Sequence, residues 1–100
     1  MFALVVRFEL RPHAVDAFDD LTARTLAGIR DEAGTLLYVT SRVTGSPLSR
    51  VFVEIYSDEA AFAAHEQTSH TRRFLSDREP MIESYRVEFL DAIGGKLPAW

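Results

Sequence analysis

The 100-residue sequence predicts one α+β domain with the element order β-α-β-β-α-β. Two observations carry this. Four segments alternate in polarity or are rich in β-branched and aromatic residues, as strands are. Two stretches with apolar residues at helical spacing separate the first strand from the second and the third from the fourth.

The first strand runs from Phe2 to Leu10. Phe2, Leu4, Val6, Phe8 and Leu10 share one face, and Ala3, Val5, Arg7 and Glu9 the other. Pro12 opens the first helix, where its missing N–H costs nothing. Val15, Phe18, Leu21, Thr25, Leu26 and Ile29 form its apolar stripe, and Gly34 suits the helix C′ position. Thr35 to Thr44 reads as the second strand, and Gly45-Ser46-Pro47 as the turn into the third, Arg50 to Tyr56. Ser57 or Asp58 caps the second helix. That helix carries Ala61, Phe62 and His65 on one side and breaks and restarts between Thr68 and Thr71. Phe74, Leu75, Met81 and Ile82 continue its stripe up to the interruption near Pro80. Ser84 to Ile93 is the fourth strand, and residues 93–100 form a C-terminal tail. This order is that of a split βαβ, ferredoxin-like domain, with an antiparallel four-stranded sheet in the spatial order 4-1-3-2 and both helices on one face.

The faces that are wholly apolar are the natural choice for the helix-covered side: Leu4, Val6 and Phe8; Val51, Val53 and Ile55; Tyr85, Val87 and Phe89. The opposite face then carries Val5, Phe52, Tyr56 and Leu90 beside Arg7, Glu54, Arg86 and Glu88. In this arrangement Arg7 stands on a central strand between Glu54 and Arg86 or Glu88. So many large apolar groups on an uncovered face predict a homodimer built sheet against sheet.

Composition narrows the function classes. The chain is 47% hydrophobic, carries a formal net charge of −4, and contains neither Cys nor Asn. One domain with one core is what this length supports. Absent Cys excludes a disulfide framework and thiol chemistry. Acids outnumber bases and Arg72-Arg73 is the one adjacent basic pair, so nucleic acid is not an expected partner. The apolar run Met1–Val6 is too short to span a membrane. The expectation is a cytoplasmic protein with no membrane partner.

Glu54-Ile55-Tyr56-Ser57-Asp58-Glu59-Ala60-Ala61-Phe62-Ala63-Ala64-His65, followed by Thr68-Ser69-His70 and Phe74, resembles the Glu-x-aromatic, acidic, Phe-x-x-His, Thr-x-His pattern of the antibiotic biosynthesis monooxygenase (ABM) domain family. Glu32-Ala33-Gly34-Thr35-Leu36-Leu37-Tyr38 resembles the family's acidic-x-Gly-x-Leu-x-Tyr segment. The similarity spans Phe2 to about Ala92. It implies a dimeric α+β barrel. It also implies a cofactor-independent monooxygenase, similar to small quinol monooxygenases, acting on a small aromatic or quinol-type substrate with O2 as co-substrate. Other members of the family imply a non-oxidative isomerase or a small-molecule-binding protein on the same scaffold. Haem degradation is the most distant reading. The cofactor-free monooxygenases and the haem degraders of the family commonly hold an Asn and a Trp in the pocket, and neither set carries over here, since Asn is absent and the one Trp is Trp100.

His65 is the candidate catalytic residue. A neutral imidazole on the sheet-facing side of its helix suits removal of a phenolic proton, because imidazole titrates near neutral pH. The same placement suits a core histidine hydrogen-bonded to backbone or to a buried carboxylate such as Glu54. His70 is five residues on and shares a face with His65 only if the helix breaks between them. No third ligand accompanies the pair, so no metal is expected. Tyr38, Tyr56, Phe62 and His70 are candidate substrate contacts, and Tyr85 supplies a further hydroxyl. Arg7, Glu54 and Arg86 suit either a charged pocket lining or cross-strand ion pairs.

Overall fold

In the computed structural model, which describes residues 1–98, the chain forms β1 (Phe2–Leu10), α1 (Val15–Ile29), β2 (Thr35–Val43), β3 (Ser46–Tyr56), α2 (Glu59–Gln67), α3 (Ser69–Asp77) and β4 (Ile82–Asp91). Single 3-10 turns at Pro12–Ala14 and Glu79–Met81 lead into α1 and β4, each with its proline in the first turn. The strands form one antiparallel sheet in the order β2-β3-β1-β4, the predicted arrangement read from its other edge. Trp100 lies outside the described residues, and no helix among the described residues is long and apolar enough to cross a membrane.

Helix ends follow local chemistry. Asp58 accepts from the Ala61 amide at 2.7 Å and caps α2. Thr68 serves two helices at once. Its extended backbone ends α2, its hydroxyl donates to the His65 carbonyl at 2.8 Å, and the same oxygen accepts from the Thr71 amide at 3.3 Å to start α3. The expected break between Thr68 and Thr71 is this shared cap.

The core lies between the sheet and the helices. Leu4, Val6 and Phe8 of β1 pack on Phe18 and Leu21 of α1 and Phe74 of α3. Phe8, Phe18, Phe52 and Phe74 form an aromatic cluster, with Phe8 edge-on to Phe52 at 4.9 Å between centroids.

Three expectations are corrected. In β3 the buried face is Phe52, Glu54 and Tyr56, while Val51, Val53 and Ile55 stand on the open face. The register explains it: Val6 pairs with Phe52 and Leu4 with Glu54, and residues directly opposite in an antiparallel pair point to the same side. Arg7 therefore does not meet Glu54. It pairs across the sheet with Val51 and Arg86, and its charge is met along its own strand by Glu9 at 2.7 Å. Arg86 likewise turns to Glu88, at 3.0 Å. Gly34 is not a helix cap, because α1 already ends at Ile29. Its value is close approach: a Cβ there would lie 2.5 Å from that of Ala61.

The open face carries Leu37 and Val39 of β2, Val5 of β1, Val53 and Ile55 of β3, and Leu90 of β4. Val39, Val53 and Leu90 are among the chain's exposed large hydrophobics. A bulge at the start of β2, between Thr35 and Leu37, sets the register that puts Tyr38 opposite Glu54 on the covered face.

Candidate active site

A cavity of about 100 Å³ lies between the covered face of the sheet and helices α2 and α3. Its walls are largely apolar, with Phe8, Phe62 and Phe89 among them, and its polar groups are few: Tyr38, Tyr85, Glu54, His65, Glu66, Thr71 and Arg78. A largely apolar pocket with a handful of convergent polar groups is how small-molecule sites are built.

His65 is buried in the last turn of α2. Its ring packs beside Tyr56 and Tyr38, at 5.2 and 5.8 Å between centroids. Its Nδ1 lies 2.7 Å from Glu32 Oε1. Glu32 comes from the loop between α1 and β2 and also accepts from the Thr35 hydroxyl at 2.6 Å, while its other oxygen bonds His70 Nε2. Burial opposes ionisation of Glu32, yet the hydrogen bonds from Thr35, His70 and His65 outweigh it and hold the carboxyl below its ordinary range. An ionised carboxylate only accepts, so Nδ1 of His65 carries a proton, and in the neutral tautomer this leaves Nε2 as the nitrogen with the lone pair. The buried partner of His65 is thus Glu32, not Glu54.

Glu54 is buried on β3, two residues from Tyr56, whose hydroxyl donates to its Oε1 at 2.6 Å. Burial pushes the Glu54 carboxyl up to about 7. The Tyr56 hydrogen bond opposes this, and the charges of Glu66 and Glu32 add to it. Burial and the Glu54 charge raise both tyrosine hydroxyls well above their ordinary value, so Tyr38 and Tyr56 stay neutral donors.

The residues singled out from sequence divide accordingly. His65, Tyr38, Phe62 and Glu54 line one cavity. Tyr56 is fully buried behind it and acts on it through Glu54. His70 lies on the far side of Glu32, in a second cleft that it shares with Gly28, Gly34, Glu32 and His65 itself, so His65 borders both spaces. Arg86 stands on the opposite face of the sheet, so it and Glu54 do not line a common pocket. Among the described residues no cluster of three or more His, Cys, Asp or Glu is arranged to hold a metal.

Four polar residues at the site escaped the sequence reading: Glu32, Glu66, Thr71 and Arg78. Glu32 sits in a loop, where no periodicity marks a direction. Thr71 and Arg78 had a signal: with Phe74 they recur at intervals of three and four along α3 and its cap, which places them on the sheet-facing stripe.

A family model described as antibiotic biosynthesis monooxygenase matches residues 1–76. Among solved structures, one described as an antibiotic biosynthesis monooxygenase is 24% identical, with a TM-score of 0.87 over 94% of this chain and 100% of that one. A protein of unknown function from Nitrosomonas europaea is 25% identical, with a TM-score of 0.85 over 99% and 95% of the two chains. A protein from Pseudomonas aeruginosa is 22% identical, with a TM-score of 0.86 over 93% and 94%. No curated protein matches the chain. The structural likenesses show a shared fold, and the family model covers most of the sequence: the chain belongs to the antibiotic biosynthesis monooxygenase family.

Proposed function

We propose that the chain is a cofactor-independent monooxygenase acting on a small phenolic or quinol-type substrate with O2. The observation that carries this reading is the Glu32–His65 pair. A carboxylate fixes the imidazole by Nδ1, in a ring that lines an apolar cavity. His65 takes the phenolic proton of a bound substrate. The resulting anion is electron-rich and surrenders electrons to O2. One oxygen atom remains on a ring carbon as a carbonyl in place of hydrogen, and the other leaves as water. A phenol carried to a quinone supplies all four electrons, so no external reductant is needed. Glu32 and Thr35 hold the tautomer, and Tyr38 orients the substrate oxygen.

Oxygen uptake with a panel of quinols tests it. The expected result is uptake by the native chain, reduced on the order of 100-fold or more in His65→Ala, since a positioned base contributes about that much. No uptake, or equal uptake in both, removes the reading.

A specific observation favours a second reading, a non-oxidative isomerase. Glu54 and His65 line the same cavity, and the Glu54 carboxyl, raised to about 7, can give and take a proton at neutral pH. Oxygen-independent exchange of substrate C–H for deuterium, lost in Glu54→Gln, would distinguish it.

The working unit in either reading is a homodimer through the open face, supported by the apolar residues Val39, Val53 and Leu90 exposed there. Sedimentation at micromolar concentration is expected to give twice the 11.3 kDa chain mass. A species of 11.3 kDa would remove the dimer.

A further inference from the structure

Two buried arginines flank the core, and their surroundings differ. Arg50 is fully provided for. Its Nε and Nη2 donate to the two oxygens of Asp19 at 2.9 and 3.0 Å, and its Nη1 donates to the carbonyls of Pro47 and Ser49. Arg78, at the C-terminal cap of α3, is 8% exposed, yet its Nε and Nη1 are shielded from solvent with no hydrogen-bond partner among the described residues. Glu79 brings a carboxylate oxygen no closer than 3.7 Å to Nη1, and that side chain is mostly in solvent. The guanidinium carbon instead stands 4.8 Å from the Tyr85 ring centroid and 5.7 Å from that of Phe8.

A desolvated guanidinium with unmade hydrogen bonds is costly, and two aromatic rings offset only part of that cost. Arg78 lines the cavity that also holds His65 and Glu54. It is the one cationic side chain on a wall whose other charged groups, Glu54 and Glu66, are acids. A guanidinium gives a carboxylate charge-assisted hydrogen bonds; with Nε and Nη1 closed off, Nη2 is the nitrogen that a carboxylate in the cavity meets first, and a second, parallel bond forms when the side chain turns.

We propose that Arg78 is the anion-binding residue of this cavity. Its ligand is a small hydroxylated aromatic acid, with the carboxylate on the Arg78 guanidinium and the hydroxyl directed toward His65. The cavity, about 100 Å³, is smaller than the roughly 150 Å³ void that encloses benzene, so the ring of the ligand is enclosed only in part. This deepens the reading above in that it uses the same pocket, but it rests on the pocket alone and not on oxygen chemistry.

Calorimetric titration of the full chain without O2 tests it, using 3- and 4-hydroxybenzoate against the matching hydroxybenzamides. The expected result is a preference for acid over amide of roughly tenfold or more, as charge-assisted hydrogen bonds confer. Arg78→Met is expected to abolish that preference, and Arg78→Lys to keep part of it. Equal affinity for acid and amide in the native chain, a preference that survives Arg78→Met, or no binding of any acid overturns the assignment. The native-chain comparison decides even where a variant fails to fold. A preserved acid preference with no oxygen uptake would overturn the oxygenase reading and leave Arg78 in its role.

Discussion

The two faces of the sheet are built from the same alternating strands and manage polar groups in opposite ways. On the covered face the polar side chains are taken out of water and tied to fixed partners: Glu54 to Tyr56, and His65 above it to Glu32. On the open face the charges pair along their own strands, Arg7 with Glu9 and Arg86 with Glu88, and keep much of their solvent contact. Burial therefore makes the covered-face groups responsive to their surroundings, with a carboxyl raised to about 7 on one residue and a tautomer held on another. Solvent leaves the open-face ion pairs weak. The proposed chemistry sits where desolvation gives a few groups unusual properties.

Adjacent residues of β3 give the largest contrast between the faces. Phe52→Ala empties the centre of the aromatic cluster and is expected to lower stability by about 3–5 kcal/mol. Val53→Ala, one residue on and facing outward, is expected to change the isolated chain by no more than about 0.5 kcal/mol. Chemical denaturation of both variants measures the difference. Similar losses would mean that the two faces are equally buried.

Glu54→Gln sharpens the electrostatic side of the same comparison. The folded-state carboxyl is raised above its unfolded value of 4.5, so its ionised form is disfavoured by folding. Its contribution is most favourable below pH 4.5, where the acid is neutral in both states. That contribution falls as pH rises through about 7, by on the order of 3 kcal/mol in all. Glu54→Gln is expected to be more stable than the native chain at pH 8, and to lose that advantage at pH 4.5. Urea unfolding at the two pH values reads it, and a pH-independent difference would contradict the burial of an ionisable group there.

The smallest effect belongs to the open face. Arg86→Ala breaks an ion pair whose members are both largely exposed, and is expected to alter the stability of the isolated chain by under about 0.5 kcal/mol. Thermal unfolding at low and high salt checks this.

Much of the fold was legible in sequence because its signals are local. The alternation of Phe2–Leu10, the proline before α1, the Asp58 cap and the turn at Gly45 each act within a few residues. The strand order followed from element order by general rules of connection. The face of β3 was not legible. Alternation divides Val51, Val53 and Ile55 from Phe52, Glu54 and Tyr56, but hydrophobicity favours the wrong set, because a buried glutamate reads as a solvent residue until its tyrosine partner is known. His65 and Phe62 were legible as a helical face. Glu32 and Arg78 were not recognised, one lying in a loop and the other resembling a surface cation at a helix end.

The sequence by itself determined where the chain forms strands and helices, and that His65 turns inward with Phe62, since both follow from side-chain periodicity and caps. Only the tertiary structure decided which carboxylate holds that histidine, which face of β3 is covered, and that Arg78 is buried with Nε and Nη1 unpartnered among the described residues. Those facts depend on register and on contacts 33 residues apart, as between Glu32 and His65, where desolvation rather than residue type sets what a charged group can do.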